Sequence, residues 1–189
     1  MAASPGQEAD LTAAILGPLV PGRSCGGCTA CCRLLEIDEP DLKKPADVLC
    51  VHCTGAGCGR YPDWPAICGK WFCAWRRIPS MPEQLRPDHL GVMFYLSLKP
   101  EETNPFARRC MMGVLMNGPE DMERPNVRAA IGVFSQQVGL PVVVNFEGVT
   151  TLLHPRPALA RAIVNPHAPE HDELRAEAMA WRKAMRLDP

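Results

Sequence analysis

No run of about 20 apolar residues occurs in this chain, so it offers no candidate membrane span. A basic surplus is also missing. Lysine and arginine number 20 against 21 aspartates and glutamates, a formal charge of −1, so nucleic acid is not an expected partner. The N-terminal stretch has no cation before Arg23, carries Glu8 and Asp10, and breaks its apolar patch from Leu11 to Val20 with Gly17 and Pro18. A signal peptide is therefore not expected, and a cytoplasmic location is. In that reducing setting dense cysteine reads as metal binding rather than as a disulfide framework. The order G-x-x-x-x-G-K-[ST] is absent too, so Gly55, Gly57 and Gly59 read as turn residues between cysteines and not as a phosphate loop.

What is present is cysteine in one place. Nine of the ten cysteines fall between Cys25 and Cys73, with two intervening residues between Cys25 and Cys28, between Cys28 and Cys31, and between Cys50 and Cys53. That spacing lets two thiolates converge on one metal ion. Proline is the other excess, 20 in 189 residues, about twice the usual ~5%, and it punctuates loops.

The chain reads as α+β: a loop-rich, cysteine-bearing lobe followed by a small, mainly antiparallel sheet with two or three helices. Three segments are expected to pack as one compact domain: an N-terminal helix and lead-in over 1–20, the cysteine-rich module over 21–82, and an α+β portion over 83–189. A helix is expected over 8–16, with Leu11 and Ile15 on one face and Gly17-Pro18 as its stop. Leu34, Leu35 and Ile37 suggest a short ordered piece before a turn at Asp38-Glu39-Pro40, whose carboxylates read as solvated. Strands are expected over 91–98 and 109–116. A helix from Pro125 should bury Val127, Ile131, Phe134 and Val138 and end at Gly139. Residues 142–146 and 149–153 frame Glu147-Gly148 as a tight hairpin. A last helix over about 169–187 sets Leu174, Ala178, Trp181 and Met185 on one face, Trp181 as a packing anchor.

The metal-ligand candidates are Cys25, Cys28, Cys31, Cys32, Cys50, Cys53, Cys58, Cys68 and Cys73. Two four-coordinate sites use eight of them, and the ninth can bridge, replace a weaker ligand or stay free. Adjacent Cys31 and Cys32 point in different directions, so they serve different metals unless one bridges. Two centres are thus expected rather than one. The run from Cys25 to Cys31 is similar to the C-x2-C-x2-C segment that holds iron–sulfur clusters in ferredoxins, except that Cys32 and Arg33 follow at once. His52 reads as a neighbour of the ligands. Arg33, Arg60, Lys70, Arg76 and Arg77 are placed to offset thiolate charge. Tyr61, Trp64, Trp71, Phe72 and Trp75 read as an apolar lid, ahead of a base-stacking surface. Met111, Met112 and Met116 read as core filler, and Cys110 as a buried thiol.

The order C-x2-C-x2-C-C, then C-x-H-C, then C-x-x-Y-x-x-x-P-x-x-C-x-x-x-x-C resembles the bacterial CxxCxxCC cysteine-cluster family, called YkgJ-like and described as zinc- or iron-chelating. The match runs through Cys25, Cys28, Cys31, Cys32, Cys50, His52, Cys53, Cys58, Tyr61, Pro65, Cys68 and Cys73, about a quarter of the chain. Trp64 and Gly69 stand where the family usually has arginine, and Lys70 is a candidate substitute. The resemblance implies zinc or an iron–sulfur centre as cofactor, and related cysteine motifs occur in proteins that modify other proteins.

The expected function is therefore coordination of zinc or an iron–sulfur centre by a multinuclear nine-cysteine cluster, in a structural, partner-binding or metal-handling role. An iron–sulfur redox protein or protein-modifying enzyme is the alternative, and thiol–disulfide exchange through Cys25-Gly26-Gly27-Cys28 a more distant one. Metal ions are the expected partners, with a protein partner open. No residue outside the cluster is nominated as catalytic.

Overall fold

A computed structural model describes residues 5–187 apart from Pro62, with side chains from Asp10 onward. The first four residues of the 1–20 lead-in and the last two of the 83–189 portion lie outside the described residues. The architecture is α+β, with a two-stranded hairpin in the cysteine-rich region and a four-stranded sheet after it.

The larger sheet has strand order β3 (Val92–Leu98), β4 (Arg109–Leu115), β5 (Val142–Phe146), β6 (Val149–His154). β3 and β4 pair antiparallel, Val92 opposite Leu115 and Leu98 opposite Arg109. β5 and β6 form the expected hairpin, and Glu147 (φ +48°) and Gly148 (φ +82°) take the two positive φ values that a two-residue primed turn requires. The middle pairing, β4 with β5, is parallel, so the sheet is mixed while two of its three pairings remain antiparallel. The cause is the helical crossover between them. α5 (Pro125–Val133) runs on into a single π turn over Phe134–Val138, and the chain re-enters the sheet in the direction of β4.

Both faces of this sheet are covered, which explains why its strands are almost continuously apolar instead of alternating with polar residues. On one face Val92, Phe94, Leu96, Met111, Leu115, Val142 and Val144 meet Val127, Ala130 and Phe134 of the crossover, together with Trp75, Ile78, Met81 and Leu16. Phe94 and Phe134 touch edge to face at 4.9 Å between centroids. Each such side chain taken fully from water contributes roughly 1.5–3 kcal/mol. On the opposite face Met93, Val114 and Met116 carry the cysteine lobe, while Cys110, Met112 and Val143 pack with Tyr95 and Leu152. Met111 and Met112 are thus core residues, and Cys110 is wholly buried.

α1 (Pro5–Leu16) ends at Gly17, φ +89°, as its sequence signals, and Ile15 and Leu16 dock on the core. Leu11 stays exposed. The periodicity-poor region before the sheet holds more helix than its sequence suggests: α2 (Ala30–Leu34) and α3 (Ala66–Lys70), each only five residues long. The hairpin of β1 (Ile37–Glu39) and β2 (Leu42–Lys44) supplies the ordered piece and turn expected there, and exposed Asp38 pairs with Lys43. α4 (Pro87–Leu90) leads into β3 through Gly91. Toward the C-terminal end α6 (Pro157–Val164) packs on α7 (His171–Met185), burying Leu159, Ile163 and Ala178 with Leu174, Trp181 and Met185 at the margin. No helix of the described residues is long and apolar enough to cross a membrane.

Candidate metal centre

All ten cysteines are free thiols. Cys25 and Cys28 stand in the turn before α2, closed by the Cys28 N–H donating to the Cys25 carbonyl at 3.0 Å, while Cys31 and Cys32 lie on α2 itself. Successive helical residues diverge by about 100°, so the two adjacent thiols leave the helix in different directions. Cys31 packs with Cys28, Cys73 and Trp71 against Ala30, Leu34 and Met93. Cys32 turns to the other side, where the Cys50 N–H reaches its carbonyl at 2.9 Å and the Cys53 N–H in turn reaches the Cys50 carbonyl at 2.9 Å. Cys53 and Cys58 face each other as an isolated antiparallel bridge, Gly59 N–H closing that loop on the His52 carbonyl at 2.8 Å. Cys68 sits on α3, which is tied to the hairpin by the Ala66 N–H donating to Asp41 at 2.9 Å.

The thiols fall into two neighbourhoods that meet at Cys32, which is also within electrostatic reach of Cys25. Cys73 lies within electrostatic reach of Cys25 and Cys28, and Cys31 within reach of Cys25 and Cys73. Cys68 lies within reach of Cys32, Cys50 and Cys58, and Cys53 within reach of Cys32 and Cys50. Cys31 and Cys32 are the seam, because their thiols share a hydrogen bond and Cys32 is also bonded by Cys53. That bond from Cys31, with help from Cys53 and the Lys44 ammonium, lowers the Cys32 pKa and raises that of Cys31. Burial pushes Cys73 up to about 12 and Cys68 up to about 11, and also raises Cys25 and Cys28. Burial that penalises a bare thiolate favours one compensated by a cation.

Backbone donors point at several sulfurs. The N–H groups of Ala30 and Asp88 reach Cys28, that of Gly55 reaches Cys53, and those of Trp75 and Arg76 reach Cys73. In three cases the donor lies two residues beyond the cysteine. Such N–H bonds to sulfur stabilise the thiolate form and orient it for ligation. Among the described residues, however, no group of three or more His, Cys, Asp or Glu side chains is arranged to hold a metal ion as it stands. The thiols are neighbours that do not meet at a point.

The cationic frame differs from the expected one. Arg76 does stand by Cys25, with its Nε and Nη1 buried and without hydrogen-bond partners. These orphaned donors suit a site of negative charge. Arg77, by contrast, lines a separate cleft beside Phe72. Two cations were missed. Lys44 is buried and donates to the carbonyls of Arg33 (3.1 Å), Leu35 and Pro45 (2.8 Å), which pins the hairpin to the end of α2 within reach of Cys32 and Cys50. Arg86 forks onto both Asp88 oxygens at 2.7 and 2.8 Å and pairs with Glu83, with its charge felt at Cys25. Lys44 lies between Cys32 and Cys50 in the chain and Arg86 beyond Cys73, and tertiary packing sets each of them beside the thiols.

No family model matches the chain, and no curated protein or solved structure matches it.

The aromatic residues divide as well. Trp71 packs among Cys28, Cys31 and Cys73 and leans on Tyr95, centroids 5.4 Å apart. Trp75 is buried in the sheet-side core, donates to the Pro82 carbonyl at 3.1 Å and lies under the Arg23 guanidinium. Tyr61 is exposed and touches Trp64 edge to face. Trp71 thus shields sulfur, Trp75 anchors the lobe to the core, and Tyr61 covers little. His52 contributes its backbone carbonyl, which accepts from the Gly59 N–H.

Proposed function

We propose that this chain is a metal-binding protein of the CxxCxxCC type, holding zinc or an iron–sulfur centre through Cys25, Cys28, Cys31, Cys32, Cys50, Cys53, Cys58, Cys68 and Cys73. The proposed ligand sets are two: Cys25, Cys28, Cys31 and Cys73 in one, and Cys32, Cys50, Cys53, Cys58 and Cys68 in the other. The observation that supports this most is the set of peptide N–H groups directed at the sulfurs of Cys28, Cys53 and Cys73. The unpaired Arg76 donors beside Cys25 support a site of net negative charge. Binding draws the thiols of each set together, and the bound metal cross-links loops that have little core of their own. The role is structural, partner-binding or metal-handling, in a reducing cytoplasm where free thiols persist.

Metal and sulfide analysis with a visible absorption spectrum, on protein purified anaerobically, tests the reading. Stoichiometric zinc in colourless protein, or iron with sulfide in brown protein, is the expected result. Metal-free protein whose thermal stability is unchanged by added zinc or by iron–sulfur reconstitution refutes it.

A further inference from the structure

A cleft of about 170 Å³ lies between the Trp71-Phe72 segment and β3. Arg77 lines it while only 6% exposed, Ser97 is 3% exposed, and Lys70 and Lys99 stand at its rim. Among the described residues, no Asp or Glu lines it.

Arg77 is the unusual group. Its Nη1 donates to the Gly17 carbonyl at 3.0 Å, its Nε is buried with no hydrogen-bond partner, and among the described residues it joins no ion pair. The Phe72 ring, 5.8 Å from the guanidinium carbon, offsets part of the desolvation. A buried guanidinium without a counter-charge costs free energy that a bound anion would recover. The walls add Trp71, Phe72 and Tyr95, flat apolar surfaces suited to a ring. The cleft volume suits a molecule of single-ring size, and one buried cation suits one negative charge.

We propose that this cleft binds a small aromatic monocarboxylate, its carboxylate on Arg77 and its ring against Trp71 and Phe72, with Lys70 and Lys99 attracting it to the mouth. None of the polar groups lining the site is a thiol.

Titration calorimetry of the full chain with benzoate, benzamide and inorganic phosphate tests it. Benzoate binds saturably with a Kd of about 1 mM or tighter, as suits so small a ligand, and benzamide, equal in shape but neutral, binds at least about tenfold more weakly. Arg77→Met abolishes benzoate binding. Because Arg77 also holds Gly17, Lys99→Glu serves as the second variant: an exposed rim change that leaves the fold intact and weakens benzoate several-fold, an effect that shrinks in high salt. Equal binding of benzamide, phosphate binding in place of benzoate, no saturation by benzoate, or unchanged affinity in folded Lys99→Glu protein overturns the proposal. Each readout is taken with the same metal content in variant and wild type, so its failure is distinct from failure of the metal reading.

Discussion

Cys31 and Cys32, neighbours on α2, share a hydrogen bond between their thiols and yet belong to different surroundings: Cys31 packs with Cys28 and Cys73 against the sheet, and Cys32 interacts with Cys53 within reach of the Lys44 ammonium. The pair is therefore the seam between two thiol groups, and substitutions on either side of it should separate.

Cys73→Ser is expected to remove the metal of the first group and leave that held around Cys50, Cys53, Cys58 and Cys68. Cys58→Ser should do the reverse, and Cys110→Ser should leave metal content unchanged. Metal-to-protein ratios of the three purified variants check this. Equal loss in Cys73→Ser and Cys58→Ser would show one indivisible cluster.

Chelation should loosen the cysteine lobe more than the sheet. Limited proteolysis with and without a strong chelator is expected to expose cleavage sites between residues 21 and 70 first, because the residues of β3, β4 and β5 are held by an apolar core that contains few thiols.

Lys44→Met removes an ammonium that serves three carbonyls and leaves those acceptors in a half-dry environment. A loss of about 2–4 kcal/mol in urea unfolding is expected, more than for a surface lysine. Lys43→Met, whose partner Asp38 is exposed, should change stability by less than about 1 kcal/mol.

Two glycines should respond in opposite senses. A methyl group on Gly113 would stand 2.6 Å from Phe94 and 3.0 Å from Val144, so Gly113→Ala is expected to destabilise by about 1–3 kcal/mol. Gly132, on α5, has open space, and Gly132→Ala should stabilise by up to about 1 kcal/mol. Thermal unfolding of the two variants reads the difference.

The Arg86 fork holds the Asp88 carboxyl below the usual carboxylate range. A folded-state pKa depressed in this way contributes stability that is present above the unfolded value of about 3.9 and is lost as pH falls through the folded value. Asp88→Asn should therefore be less stable than wild type at pH 7, and the gap should close in acid. A constant gap across the range would mean the loss comes from packing alone.

Periodicity was enough to read the α+β class, the Val127-to-Val138 helical face and the Glu147-Gly148 hairpin, because spacing and turn residues act over a few neighbours. It was silent on α2 and α3, whose five residues are too few to establish a period, and on α6, whose Pro157 start signals a helix only once its apolar face has found α7. The parallel join of β4 and β5 is likewise set by how the crossover packs, not by either strand. Cysteine spacing named the nine thiols, but not their division. That division depends on Cys73 returning along the sheet face to Cys28, on the hairpin carrying Lys44 to Cys32, on Arg86 arriving from beyond Cys73, and on Arg77 turning away into its own cleft. Local sequence determined which groups are available, and only long-range packing decided which of them share a neighbourhood, since charge, burial and hydrogen bonding act across space regardless of distance along the chain.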